Sequence, residues 1–123
     1  MKEIGRKNVT QEKLDTLFDM SHTGISVKDT VGQKIIVTGF VVYDMEDGSY
    51  HLKFFDIDDK DYYTSSQIFI KDFLRLAEEM DDEETFTIEP LAKKSRKGRS
   101  YLYLNNNDSE DRTTNDNWKS INW

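Results

Sequence analysis

The pattern of apolar and polar positions predicts five strands between residues 34 and 104. Residues 34–44 give the strongest strand signal, because they are β-branched and apolar on both faces. Gly39 interrupts this run, and a mid-strand glycine permits the bulge or bend at which a small barrel turns a corner. Four further strands are predicted by alternation at residues 49–57, 62–70, 85–92 and 100–104.

Two helices are predicted from apolar spacing. Thr10 is a candidate N-cap for a short amphipathic helix over residues 11–20. Residues 71–80 are rich in helix formers and place Phe73 and Ala77 on one face. This second helix falls between strands three and four, which is the element order of the OB fold, a five-stranded barrel. We therefore expect an all-β domain, or α+β by element count, of the OB-barrel type with one helix between strands three and four and a short N-terminal helix. A generic α+β sheet domain with the same element order is the alternative.

The chain is long enough for one domain and no more, at 123 residues. Residues 1–30 are expected to hold the N-terminal helix and a connector, and residues 31–104 the barrel. Residues 105–123 have few apolar positions and no periodicity, so a disordered polar tail is expected there.

Composition argues against several classes of protein. The sequence has no cysteine and only two histidines, His22 and His51, so neither a disulfide nor an ordinary metal centre is expected. The acids of residues 56–61 lack the glycine and distal glutamate of a calcium loop and indicate a solvated turn. No nucleophile–base pair or phosphate-cradling loop is present, so we expect neither an enzyme nor a cofactor. Without a membrane-length apolar run or a secretion signal, a soluble cytoplasmic protein is expected.

Positive charge is concentrated in one stretch although the net charge is −7. Residues 93–99 contain five bases in seven positions, and Tyr101 and Tyr103 follow directly. Alternation with Leu102 and Leu104 predicts that both tyrosines point outward. Proteins that bind single strands typically combine cations, which hold the phosphates, with neighbouring aromatic rings, on which the nucleic-acid bases stack. The alternative is a solvated hairpin whose tyrosines cover a barrel face. The predicted nucleic-acid-binding residues of this stretch are Lys93, Lys94, Arg96, Lys97, Arg99, Tyr101 and Tyr103.

Three residues of strands two and three extend the predicted surface, because this face of an OB barrel commonly binds ligands. Lys53 and Phe55 lie on one face of strand two, although Phe55 is equally compatible with a core position. One ring of the Tyr62-Tyr63 pair must face outward, and we predict that it is Tyr63.

The tail carries aromatic residues in a polar context. Trp118, Ile121 and Trp123 are predicted to bind a partner, because exposed aromatics in a disordered segment commonly serve recognition. The alternative is that they fold back onto the barrel or into its binding groove.

The chain resembles the small OB-like single-stranded DNA-binding proteins of bacteriophage replication modules. The resemblance covers residues 31–104 and rests on three stretches, GQKIIVTG at 32–39, YTSS at 63–66 and GRSYL at 98–102. It implies non-specific coating of single-stranded DNA during phage DNA replication or recombination. The sequence leaves RNA open as an alternative ligand. The tail is similar in part to the partner-binding tip of bacterial single-stranded DNA-binding proteins, which implies a replication-protein partner, but its last residues are not acidic.

Two other functions fit the same composition. An acidic inhibitor that mimics DNA and binds a host protein fits the net charge of −7, whereas the basic stretch at residues 93–99 argues against it. An accessory subunit whose barrel binds only protein is the third alternative.

Overall fold

A long central strand, β3 (Ile35–Asp44), organises the fold of the computed structural model, which describes residues 2–17 and 24–104. β4 (Tyr50–Asp56) and β5 (Asp61–Thr64) continue from β3 as an antiparallel meander. The described residues are mostly β-structure with two α-helices. The other elements are β1 (Lys2–Lys7), α1 (Gln11–Leu17), β2 (Ile25–Ser26), a 3₁₀ turn (Val27–Thr30), α2 (Gln67–Glu79), β6 (Phe86–Ile88), β7 (Pro90–Lys94) and β8 (Ser100–Leu104).

The main sheet has the strand order β1-β3-β4-β5-β2, and β6 pairs with the first residues of β3. β7 and β8 form a separate antiparallel hairpin. The expected barrel is not closed by the backbone pairing of the described residues. The reason is that β2 lies parallel to β5, with Ile25 opposite Tyr62, and occupies the edge of β5 that a closing strand would need.

A bulge in β3 occurs where the mid-strand glycine predicted it. The register with β4 shifts between Val37 and Gly39, which leaves Thr38 as the extra residue. A Cβ atom on Gly39 would lie 2.8 Å from the carbonyl oxygens of both Lys7 and Asn8. Only glycine therefore lets the end of β1 approach β3 this closely.

The two faces of the sheet pack against different helices. On one face α2 covers a phenylalanine cluster in which Phe54, Phe69 and Phe73 are fully buried, and the rings of Phe54 and Phe73 lie 5.2 Å apart. On the other face α1 covers a smaller cluster. Its members are Val9, Leu14, Leu17, Val41, Tyr43 and Phe55. The Thr10 side chain caps α1 as predicted, because its Oγ1 accepts a hydrogen bond from Lys13 N–H at 3.2 Å.

Helix α2 begins four residues earlier than the sequence predicted, and β5 is correspondingly shorter than the predicted third strand. The stretch after Ser66 contains β-prone residues, yet Phe69, Phe73 and Ala77 recur every four residues on one buried face. The Gln67 amide also exchanges two hydrogen bonds of 2.9 Å with the backbone of Tyr50. Tertiary packing thus extends the helix against local strand propensity.

The predicted fourth strand is divided at Pro90. β6 pairs with β3, whereas β7 pairs with β8, so the two halves of this segment join different sheets. Proline lacks an N–H group and suits such a change of partner.

Strand β1 was not predicted, because its only branched apolar residue is Ile4 among four charged residues. Backbone pairing with β3 from Lys2 to Lys7 holds it at the sheet edge.

Candidate nucleic-acid interface

The hairpin of β7 and β8 closes through a tight turn at residues 95–99. Ser95 N–H donates to Arg99 O at 2.8 Å, and Gly98 N–H donates to Ser95 O at 2.9 Å. Gly98 has φ of +80°, a conformation that favours glycine. A turn followed by a left-handed glycine is a common three-residue hairpin connection, so the sequence builds this loop locally.

All five bases of the hairpin are exposed. They lie on the last two residues of β7 and around the turn, within 7 positions of the chain. None of them forms an ion pair with another residue in the described ranges 2–17 and 24–104. Their charge is therefore not neutralised by the rest of the described domain. The five are Lys93, Lys94, Arg96, Lys97 and Arg99.

Two tyrosine rings lie beside these bases on one face of the hairpin. Tyr101 is opposite Lys93 and Tyr103 is opposite Leu91, and directly opposed residues point to the same side. The ring centroids of Tyr101 and Tyr103 are 6.1 Å apart, and both side chains are half-buried. Leu104 is only 1% exposed, whereas Leu102 is half-buried like the two tyrosines, so burial does not separate the leucines from the tyrosines as the alternation predicted.

A second group lies on the α1-facing side of the main sheet. Lys53 pairs directly with Tyr63, and His51 stacks on the Tyr63 ring with centroids 6.3 Å apart. Tyr63 is 37% exposed, whereas its neighbour Tyr62 is buried, so the ring that faces outward is the predicted one. His51 was not singled out from the sequence, although its alternation with Lys53 on β4 could have indicated it.

Phe55 does not belong to either group and takes the core position that the sequence left open as its alternative. The residue is 7% exposed and packs in the α1 cluster with Leu14 and Val41. The Lys13 ammonium lies 4.7 Å from the centre of the Phe55 ring and 3.0 Å from Asp59. Helix α1 thus covers the Phe55 ring, which the strand pattern alone allowed to be exposed.

The two groups of predicted residues are carried by different sheets. Lys53 and Tyr63 belong to the main sheet, whereas the bases and the tyrosine pair belong to the β7–β8 hairpin. Among the described strands no ladder joins β8 to β5. The compact site is therefore the hairpin. The predicted partner-binding residues Trp118, Ile121 and Trp123 lie outside the described residues.

The acidic turn after β4 has a structural use. The Asp56 carboxylate accepts hydrogen bonds from Tyr62 Oη at 2.5 Å, from Asp58 N–H at 2.8 Å and from Lys60 N–H at 2.9 Å. Burial and this carboxylate raise the pKa of the Tyr62 phenol.

No group of three or more metal-binding side chains occurs within residues 2–17 and 24–104. In the same ranges no helix has the length and apolar character to cross a membrane.

Stability should depend on His51 below neutral pH. Burial, and secondarily the charge of Lys53, lower the pKa of the His51 imidazole from its ordinary 6.5. The stabilisation is thus present above pH 6.5 and is lost as the pH falls through the folded-state pKa. We expect thermal unfolding of the wild type to shift downward over this range more than that of His51→Gln. Parallel curves for the two proteins would contradict the assignment to His51.

Comparison of the chain with protein-family models, with curated protein sequences and with solved structures finds no match.

Proposed function

We propose that this protein binds single-stranded DNA without sequence specificity, through the β7–β8 hairpin. The observation that carries the proposal is the placement of five exposed basic side chains beside two adjacent tyrosine rings. None of these basic side chains forms an ion pair within the described domain. Mobile cations hold phosphates, and aromatic rings stack on the face that every base presents. The activity is binding and not catalysis.

The geometry favours a single strand over a duplex. The rings of Tyr101 and Tyr103 lie along one strand of the hairpin. A nucleic-acid base can stack on them only if its own face is not already covered by neighbouring bases, as it is in a duplex. Lys93 lies directly opposite Tyr101, so a cation is available next to a stacked base. Lys53 and Tyr63 supply a second cation–aromatic pair on the main sheet.

An OB-type arrangement supports the same proposal. Three meander strands and helix α2 are followed by β6, β7 and β8, in which β6 and β7 together stand for the fourth strand of the OB order, and β3 pairs with both β4 and β6. OB folds are partly open barrels whose loop between the last two strands contacts oligonucleotides, and here that loop is residues 95–99. The phage-protein resemblance adds a context, coating of exposed strands in replication or recombination in the host cytoplasm.

Exposed acids at the end of α2 favour the second candidate, a DNA mimic that binds a host protein. Residues 78–84 hold six acids, all exposed. The hairpin argues against this function, because a surface that imitates phosphates gains nothing from five neighbouring bases.

A gel-shift measurement separates the two candidates. Labelled oligo(dT) should be retarded more strongly than a duplex of equal length, and the retardation should weaken at the higher of two salt concentrations. Absence of binding to any oligonucleotide at low salt would contradict the proposal and favour the mimic.

A further inference from the structure

A groove runs between the edge strand β1 and helix α2. It has a volume of about 590 Å³, with apolar side chains of β3 at its floor and charged residues on its walls. Ile4, at the rim, is 48% exposed. The residues that line this β1–α2 groove are Ile4, Gly5, Arg6, Lys7, Phe40, Val42, Leu74, Ala77, Glu78 and Asp81.

One wall of the β1–α2 groove is a strand with an unused edge. β1 is the terminal strand in the order of the main sheet, and its other edge pairs with β3. Among the described residues no strand pairs with the outer edge of β1. An extended segment laid along such an edge gains main-chain hydrogen bonds and places alternate side chains in the neighbouring groove. The geometry therefore suits an extended peptide.

Charged residues of both signs line the groove. Lys7 Nζ donates to three carbonyl oxygens at the end of α2, the nearest being Glu83 O at 2.9 Å. Arg6 lies 3.5 Å from the Glu3 carboxylate. Glu78 and Asp81 are exposed and form no ion pair with another described residue. An occupant with apolar side chains and a cation would thus complement the groove.

We propose that residues 118–123 of this same chain occupy the β1–α2 groove. The segment reads WKSINW, so it combines three large apolar side chains with one cation, Lys119, and no acid. The apolar residues would cover the floor at Phe40 and Val42, and Lys119 would approach Glu78 and Asp81. This assigns Trp118, Ile121 and Trp123 to a contact within the domain.

The connection is long enough for this contact. β8 ends at Leu104, whose N–H donates to the buried Asp72 carboxylate of α2 at 3.1 Å, so the chain leaves the described region beside α2. From Asp72 to Glu78 the distance along the helix is about 9 Å. Residues 105–117 can span roughly 43 Å when extended.

Tryptophan fluorescence tests the proposal directly, because Trp118 and Trp123 are the only tryptophans in the sequence. In the full-length protein we expect a blue-shifted emission and weak quenching by acrylamide. Ile4→Asp should shift the emission to the red and increase quenching several-fold. Ile57→Asp is the matched control, since Ile57 is 62% exposed and lies outside the groove. A wild-type emission already typical of solvent-exposed tryptophan, or equal effects of both variants, would overturn the proposal.

A charge exchange gives a test that does not depend on the folding of Ile4→Asp. Lys119→Glu should also expose the tryptophans, and adding Glu78→Lys should restore much of their protection. Adding Glu12→Lys, at an exposed position of α1, should restore none. Restoration by both second substitutions would contradict a local contact. Protection that rises with protein concentration would overturn docking within one chain and indicate exchange of the segment between copies.

Discussion

Replacing both Tyr101 and Tyr103 by alanine is expected to weaken binding of oligo(dT) by at least about thirtyfold. Each stacked base contributes roughly 1–3 kcal/mol, and the two rings stand 6.1 Å apart on one face of the hairpin. Fluorescence anisotropy with a labelled oligonucleotide at constant salt measures the loss. Because Leu104 and Pro90 hold the opposite face in the core, the fold should remain intact.

The control for this prediction keeps the rings and removes the hydroxyls. Tyr101→Phe with Tyr103→Phe should bind nearly as the wild type, since stacking uses the ring face. If the alanine pair binds normally but melts at a lower temperature, the tyrosines are packing residues. The stacking surface would then have to be Tyr63 with His51, because Phe55 is buried under α1.

Removing two bases of the turn should flatten the salt dependence of binding. If all five bases of the hairpin contact phosphates, log K should fall against log salt with a slope of about −3.5. Arg96→Ala with Lys97→Ala should reduce that slope by about 1.4, which corresponds to roughly 25-fold in affinity at 0.1 M salt. Both side chains are exposed, so the stability of the domain should change little.

A control variant that lacks two basic residues elsewhere distinguishes the loss of phosphate contacts from a change in net charge. Lys2 and Lys60 are exposed and belong to β1 and to the β4–β5 turn. Their replacement by alanine changes the net charge equally and should leave the slope within experimental error. Equal slopes for the two double variants would move the binding site away from the hairpin.

The hairpin could be predicted from the sequence because everything that forms it is local. Its glycine turn, its alternating strand and its run of bases lie within about a dozen consecutive residues. Local backbone preference and side-chain period suffice for such a unit. The Gly39 bulge was predicted on the same basis, since a mid-strand glycine permits the backbone conformation of a bulge.

Tertiary structure decided whether each aromatic residue of the predicted surface is exposed or buried. Phe55 and Tyr63 lie on the same side of adjacent strands, yet α1 covers only Phe55. Alternation along a strand shows that two residues share a face and carries no information on which part of that face a distant helix covers.

The pairing of the strands likewise could not be predicted from the sequence pattern. β2 is two residues long and β1 is mostly charged, so neither gives a periodic signal, yet β2 occupies the edge of β5 and β1 extends β3. The β1–α2 groove arises only because residues about seventy positions apart meet across this sheet. By itself the sequence determined the local units, the hairpin and its charge, because short-range backbone and side-chain preferences form them. Tertiary structure alone decided which edges and faces remain open, because that depends on packing between distant segments.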